Sequence, residues 1–294
     1  MVPGPFDPKL VRAHKARAAA GFRQAAFLHA RAADDLAERL EAIPRPFMRT
    51  LALGGGGLIS QALAARPYLA QRLGAVIEAD IASGDLVFDP ELLPFAEGAF
   101  DLIVSPLTMH WVNDLPGVLV QLRMALKPDG LMLASLLGGE TLHELRLSLL
   151  QAETEITGGA GPRVAPFADL RELGALLQRA GFALPVTDVD RITVRYASPM
   201  ALMQDLRRMG ATNALTERRR KPLRRATLMR MIEIYGERFA DADGRVRATF
   251  EIVWLSGWAP HDSQQQPLKP GSAQQRLADA LGAKEQSAGE KAKR

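Results

Sequence analysis

Apolar and polar positions recur along this chain in two rhythms, one helical and one alternating, and the changeovers fall at glycine and proline. From Pro8 to Ile43 the chain is rich in Ala, Arg, Glu and Leu. Leu36, Leu40 and Ile43 recur at helical spacing, which predicts one or two helices broken near Gly21 and ended by Pro44 and Pro46. A short apolar run from Met48 to Leu53 stops at Gly54-Gly55-Gly56-Gly57, and Leu58 to Ala65 is again helical, so the order is strand, glycine loop, helix. Ala75 to Ile77 reads as a second strand ending in Glu78 and Asp80, Asp85 to Phe88 as a short third ending in Asp89, and Phe100 to Ser105 as a buried fourth. A helix from Asp114 to Leu126 places Leu115, Val118, Leu122 and Leu126 on one face. Lys127-Pro128-Asp129-Gly130 then predicts a turn into a strand from Leu131 to Leu136.

After Gly138-Gly139, Thr141 to Thr157 is expected as a helix inserted above the sheet, and Asp169 to Ala180 as another, closed by Gly181. Two strands follow, around Pro185 to Val189 and Ile192 to Tyr196. Helices from Pro199 to Met209 and Leu223 to Phe239 come next, and then an apolar strand from Thr249 to Leu255. The alternation predicts an α/β protein with a mostly parallel, doubly wound, Rossmann-like sheet. The expected organisation is an N-terminal helical segment over 1–46, a Rossmann-like domain over 47–197 with a helical insertion near 140–165, and a C-terminal helical cap portion over 198–260. The remainder, 261–294, is rich in Gln, Lys, Ala, Gly and Ser and is expected to be mostly mobile, with a short helix near Arg276 to Leu281.

Composition narrows the chemistry. With 294 residues, 47% apolar and 24% charged, the chain can bury a full α/β core. The absence of cysteine excludes disulfides, thiolate nucleophiles and cysteine-ligated metal on this chain. Only five histidines are present, with no clear two-histidine, one-carboxylate iron site, so no metal is expected. No stretch approaches the ~18 apolar residues of a membrane span and the start lacks a secretory layout, so a cytoplasmic protein without a transmembrane segment is expected. The net charge of +4 is small, but Arg218, Arg219, Arg220, Lys221, Arg224 and Arg225 crowd together. That cluster suits an acidic partner or anionic lipid, leaving peripheral membrane association open, or is simply a solvated helix start. No aromatic residues interleave it, so no nucleic acid is expected.

A glycine loop between a first strand and a helix lets backbone N–H groups approach a ligand, because no Cβ stands in the way; equally, Gly54 to Gly57 could be an empty turn. Carboxylates at strand ends can accept the hydroxyls of a ribose, the place for Glu78 or Asp80, or the amine of an adenine, the place for Asp89. Each alone is as readily a solvated strand end. His110 and Trp111 follow the fourth strand, where an imidazole can serve as general base and an indole can stack on a cation; a hydrogen-bonded structural histidine is the alternative. Asn113 and Asp114 read as helix caps, and Asp114 alternatively as a partner for a guanidinium. Glu140, Glu144 and Arg146 are either a polar lid that receives a protein loop or a solvated helix face, and Trp254 and Trp258 read as packing residues.

Leu51-Ala52-Leu53-Gly54-Gly55-Gly56, Asp89-Pro90-Glu91-Leu92-Leu93-Pro94-Phe95, Phe100-Asp101-Leu102 and Leu126-Lys127-Pro128-Asp129-Gly130 resemble the class I methyltransferases grouped with the biotin-pathway malonyl-carrier methyltransferase, over about 45–137. Met109-His110-Trp111-Val112-Asn113-Asp114-Leu115-Pro116, Gly138-Gly139-Glu140-Thr141-Leu142-His143-Glu144-Leu145-Arg146, Asp205 through Asn213 and Gly257-Trp258-Ala259-Pro260-His261 resemble the methyltransferase-fold assembly factors of respiratory complex I. That narrower resemblance runs from Phe6-Asp7 to Pro270-Gly271-Ser272. It implies S-adenosylmethionine as cofactor, held by Gly54, Gly55, Gly56, Gly57, Glu78, Asp80 and Asp89, with His110, Trp111 and Asp114 at the reaction centre. The implied partner is a protein, an iron–sulfur subunit of complex I, modified on an arginine by hydroxylation rather than methylation. Two departures weaken the expected cofactor affinity: the acid usual within the first strand is Ala52, and the third loop glycine is Leu58. Methylation of a small or carrier-bound substrate and a non-catalytic chaperone role stay open beside the leading expectation.

Overall fold

The computed structural model describes residues 4–81, 84–265 and 282. Residues up to His261 form one compact unit and Asp262–Arg294 a second. The expected helix near Arg276 to Leu281, the Pro270-Gly271-Ser272 stretch and most of the expected mobile tail lie outside the described residues.

Three helices come first: α1 (Pro8–Ala18), α2 (Phe22–Ala25) and α3 (Phe27–Glu41). The Asp7 carboxylate accepts from Leu10 N–H at the start of α1, and proline follows it where its missing N–H costs nothing. Leu28, Ala32, Ala33, Leu36, Ala37 and Leu40 give α3 a continuous buried stripe. The alternating unit then runs β1 (Phe47–Leu53), α4 (Leu58–Ala64), α5 (Pro67–Ala70), β2 (Leu73–Asp80), β3 (Leu86–Val87), β4 (Phe100–Pro106), α6 (Leu115–Ala125) and β5 (Leu126–Leu137). It continues through α7 (His143–Thr157), α8 (Leu170–Arg179), β6 (Ala183–Tyr196), α9 (Pro199–Arg208), α10 (Arg225–Phe239) and β7 (Val246–Trp258).

The seven strands form one sheet in the order β3-β2-β1-β4-β5-β7-β6. Neighbours from β3 to β5 pair in parallel, and β7 is antiparallel to both β5 and β6. Period-two alternation divides the interior into two layers. Leu102, Val104, Leu131, Leu133, Ile252 and Trp254 face the layer that holds α3, α7 and α10, while Ile103, Met132, Ala134, Val253 and Leu255 face the layer that holds α6 and α8. Trp254 is a core residue, as expected, with the Arg39 guanidinium 4.6 Å from its ring centroid. Strand order reverses between β1 and β4, so the crevice beyond their carboxyl ends is where a ligand belongs.

The structure departs from the expected elements where polar residues sit inside strands. Lys127 to Gly130 belongs to β5 instead of a free turn, because Leu126 already pairs with Phe100 and an irregularity before Leu102 absorbs the extra residues. The two strands expected around Asp190 are one strand, β6. Its charges are tolerated because β6 is a sheet edge, where Asp188 and Asp190 pair with Arg39 and Arg31 at 2.6 and 3.1 Å. No helix among the described residues is long and apolar enough to cross a membrane.

Candidate functional site

Between β1 and α4 the backbone turns through Gly54, Gly55, Gly56 and Gly57 with φ of 77°, 81°, 57° and 84°. Gly54 combines its positive φ with ψ of −158°, a region closed to side chains, and a Cβ there would run into the Thr108 side chain. The Thr108 hydroxyl is held in place by donation to the Leu53 and Pro106 carbonyls at 3.3 and 3.1 Å. Leu58, the replacement for the third loop glycine, packs against the core that holds α3 and lines neither of the two cavities beside the loop. Ala52 is fully buried opposite Glu78 in the β1–β2 register. The space above the loop is therefore open.

That space is a cavity of about 770 Å³. It brings the four glycines together with Glu78 and Asp80 from the end of β2, and with His110 and Trp111 from the short 3-10 turn after β4. A second cavity, about 550 Å³, shares Lys15, Gly54, Asp80, Thr108 and Trp111 with the first and carries Asp89 at its edge. The Glu78 carboxylate has no ion pair among the described residues, whereas Asp80 receives the Ile81 N–H at 2.6 Å and the Lys15 ammonium at 3.4 Å. Of these two acids, Glu78 is the one whose oxygens are free for a ligand diol. Asp89 is exposed, and its carboxylate accepts from Glu91 N–H at 3.0 Å within a turn.

Asp114, placed at the reaction centre by sequence, lines neither cavity: it is exposed and caps α6, accepting from Gly117 N–H at 2.9 Å. Asn113, by contrast, is not a cap. Its amide clasps the amino-terminal segment, accepting from Phe6 N–H at 2.8 Å and donating to Phe6 O at 3.2 Å. This fixes the Phe6 ring edge-on to Trp111, with centroids 5.4 Å apart. Glu144 is buried and takes up the Thr249 hydroxyl and N–H, and Arg146 binds the carbonyls of Gly139 and Thr141, so neither contributes to a lid.

Side chains that no motif announced complete the cavity: Lys15 from α1, Phe22 and Arg23 from α2, His29 from α3, and Arg163 and Phe167 from the loop before α8. They come from distant segments and meet only through tertiary packing. His29 and His110 are half-buried, and the Nδ1 of each is shut off from water with no partner. Burial pushes the His29 imidazole down to about 4, with the Lys15 charge adding to it. Burial, then Lys15 and His29, hold His110 well below its ordinary value. Two neutral imidazoles thus share a chamber with the apolar side chains of Leu145, Leu149, Met203 and Met209. Among the described residues no group of three or more His, Asp or Glu is arranged to hold a metal ion. The basic cluster is partly consumed internally, Arg218 by Asp7 and Arg219 by Glu153, while Arg220, Lys221, Arg224 and Arg225 are exposed.

The sequence matches the methyltransferase-domain family over residues 23–185. It is 42% identical over 253 residues to the Homo sapiens protein named arginine-hydroxylase NDUFAF5, mitochondrial, covering 81% of this chain and 71% of the relative. The Danio rerio protein of that name is 45% identical over 200 residues, covering 68% of this chain, which spans only 62% of the relative's length. A solved Bacillus halodurans protein described as a methyltransferase superposes with a TM-score of 0.50 over 78% of this chain and 99% of its own, at 16% identity, a likeness of fold alone.

Proposed function

Because the chain belongs to the methyltransferase-domain family, we propose that it is an S-adenosylmethionine-dependent enzyme that modifies an arginine side chain of a respiratory complex I iron–sulfur subunit during assembly. One observation carries the reading: the glycine turn, the free Glu78 carboxylate and the His110–Trp111 pair open into one cavity. The glycine turn, where a Cβ on Gly57 would stand between Arg23 and Glu78, and an acid free to accept a diol fit an adenosyl amino acid. The hydroxylase name of relatives 42 to 45% identical supports oxygen insertion over methyl transfer.

When bound, S-adenosylmethionine supplies a sulfonium with an electrophilic methyl and a fixed positive charge. Hydroxylation further requires a two-electron oxidant and an oxygen source, which none of the residues lining the cavity supplies and which must come from outside the chain; the chain's own residues hold and orient the reactants. The Gly54 N–H is already given to the Ala79 carbonyl at 2.8 Å, so the backbone N–H groups of Gly55 to Gly57 and the Glu78 carboxylate are the groups that hold the ligand. The arginine stem lies along the apolar wall formed by Leu145 and Leu149, and its guanidinium stacks on Trp111. His110 lines the cavity and is held neutral at pH 7, so a ring nitrogen can accept an N–H of that guanidinium. The Phe6 ring packed on Trp111 and the Phe167 ring packed on His110 keep bulk water away.

A non-catalytic assembly chaperone is a second reading, favoured by Ala52, which removes the acid that ordinarily steadies such a loop. Calorimetric titration with S-adenosylmethionine separates the two, since no binding at millimolar ligand supports the chaperone. Mass spectrometry of the iron–sulfur subunit from a deletion strain tests the substrate. Loss of one oxygen from an arginine is expected, loss of one methylene supports methylation, and an unchanged mass ends the enzymatic reading.

A further inference from the structure

We propose that Arg23 binds the carboxylate of the cofactor's amino-acid end, so that this site recognises its ligand by a negative tail more than by the ammonium beside it. The assignment rests on the cofactor reading above. Three side-chain cations line the cavity among the described residues: Lys15, Arg23 and Arg163. Two are spoken for. Lys15 lies 3.4 Å from the Asp80 carboxylate, and Arg163 makes a two-pronged contact with Glu153 at 2.9 and 2.6 Å. Arg23 has no acid within ion-pair reach among the described residues. Its guanidinium makes a long 3.5 Å donation to the Gly56 carbonyl, on the glycine turn itself.

Placement sharpens the argument. A Cβ built on Gly57 would meet Arg23 Nη2 at 3.0 Å and Glu78 Oε2 at 3.9 Å. A guanidinium and a carboxylate therefore flank the same glycine without pairing, although opposite charges so near each other would gain by closing. A ligand whose diol lies against Glu78 and whose acidic end lies against Arg23 satisfies both. A planar guanidinium suits a carboxylate because two parallel N–H donors meet two oxygens. Ala52 completes the picture. With no acid inside β1, the fixed charge at the amino-acid end of the site is positive, and attraction for the ligand's carboxylate outweighs that for its ammonium.

Titration calorimetry on the full chain tests this with three ligands: S-adenosylhomocysteine, which has the complete amino-acid end; decarboxylated S-adenosylmethionine, which keeps the amine alone; and 5′-methylthioadenosine, which has neither. Arg23→Ala is expected to weaken S-adenosylhomocysteine about 10- to 100-fold, the range for a charge-assisted contact, and to leave the other two within about 2-fold. Arg23→Lys is expected to recover part of the loss, since an ammonium keeps the charge and loses the fork. Arg23 is exposed, so thermal unfolding of both variants should match the parent. Equal weakening of all three ligands, or no weakening of any, overturns the assignment and leaves the cofactor reading standing. Failure of the unaltered protein to bind either S-adenosylmethionine or S-adenosylhomocysteine overturns both.

Discussion

Replacing Gly54 by alanine tests the physical basis of the site, because two separable penalties meet at that atom. The backbone sits at φ 77°, ψ −158°, where a residue with a Cβ is strained by about 1 to 3 kcal/mol. The new methyl also overlaps the Thr108 side chain, whose hydroxyl is tied to two carbonyls and cannot swing away without breaking them; overpacking of this kind costs about 1 to 3 kcal/mol. Together they come to about 2 to 6 kcal/mol, a large part of the ~5 to 15 kcal/mol that holds a typical domain together. Thr108→Ala removes the overlapping Oγ1 and leaves Cβ 3.1 Å away, a distance that small shifts relieve. In that background Gly54→Ala should cost only the backbone part, giving a coupling of about 1 to 3 kcal/mol in a double-mutant cycle. Urea unfolding followed by circular dichroism measures all four proteins. A penalty below about 1 kcal/mol, or the same penalty with and without Thr108, would refute the argument.

Glu78→Gln should weaken S-adenosylmethionine binding about 10- to 100-fold with no change in melting temperature, because its carboxylate has no ion pair among the described residues to lose; calorimetry beside thermal unfolding reads both. Asp114→Ala should cost about 1 kcal/mol of stability through the lost cap and leave ligand affinity intact, and the opposite pattern would return Asp114 to the reaction centre. The folded protein resists charging His29, whose folded value is about 4 against the ordinary 6.5, so the unfolded chain takes up that proton first as pH falls. Stability should therefore drop between about pH 6.5 and 4 by at most ~3 kcal/mol from this residue, and His29→Gln should remove that part of the slope in urea midpoints taken at several pH values. An unchanged slope would show that His29 is charged without penalty.

Local transitions were legible and long-range assembly was not. β1, the glycine turn and α4 are a change from apolar run to glycine to helical period, all within 47–64, and β4 followed by α6 is just as local. The same logic puts Glu78 and His110 at the cavity they line, since strand ends next to the order reversal open on that crevice. Asp114 was misplaced as a reaction-centre residue because a cap and a substrate-facing acid have the same signature, a carboxylate before a helix. The sequence divides β6 in two at Asp190 and Arg191, which look like a break, and only their pairing with Arg31 and Glu251 shows why they are tolerated. Lys15, Arg23 and His29 carried no signal at all. They lie on helices that precede the sheet, and their relation to Gly54 exists only once α1 to α3 have folded over the switch point.

The charges around the cavity explain why so open a site can keep two histidines neutral. Lys15 stands where the two cavities meet and is paired with Asp80, so the local field is nearly balanced by one contact. Yet the Lys15 ammonium still lowers both imidazoles, and burial does most of that work. A cationic substrate that enters beside Trp111 adds to the same penalty, which keeps His29 and His110 unprotonated and leaves their lone pairs for accepting its N–H groups. A carboxylate in place of either histidine would bind the cation more tightly, but it would also pair with Lys15 and draw that ammonium away from Asp80. On the proposed function, neutral acceptors on the substrate side and Glu78 and Arg23, unpaired among the described residues, on the cofactor side therefore belong to one arrangement, in which aromatic faces and an imidazole nitrogen would recognise a guanidinium while the fixed charges serve the cofactor.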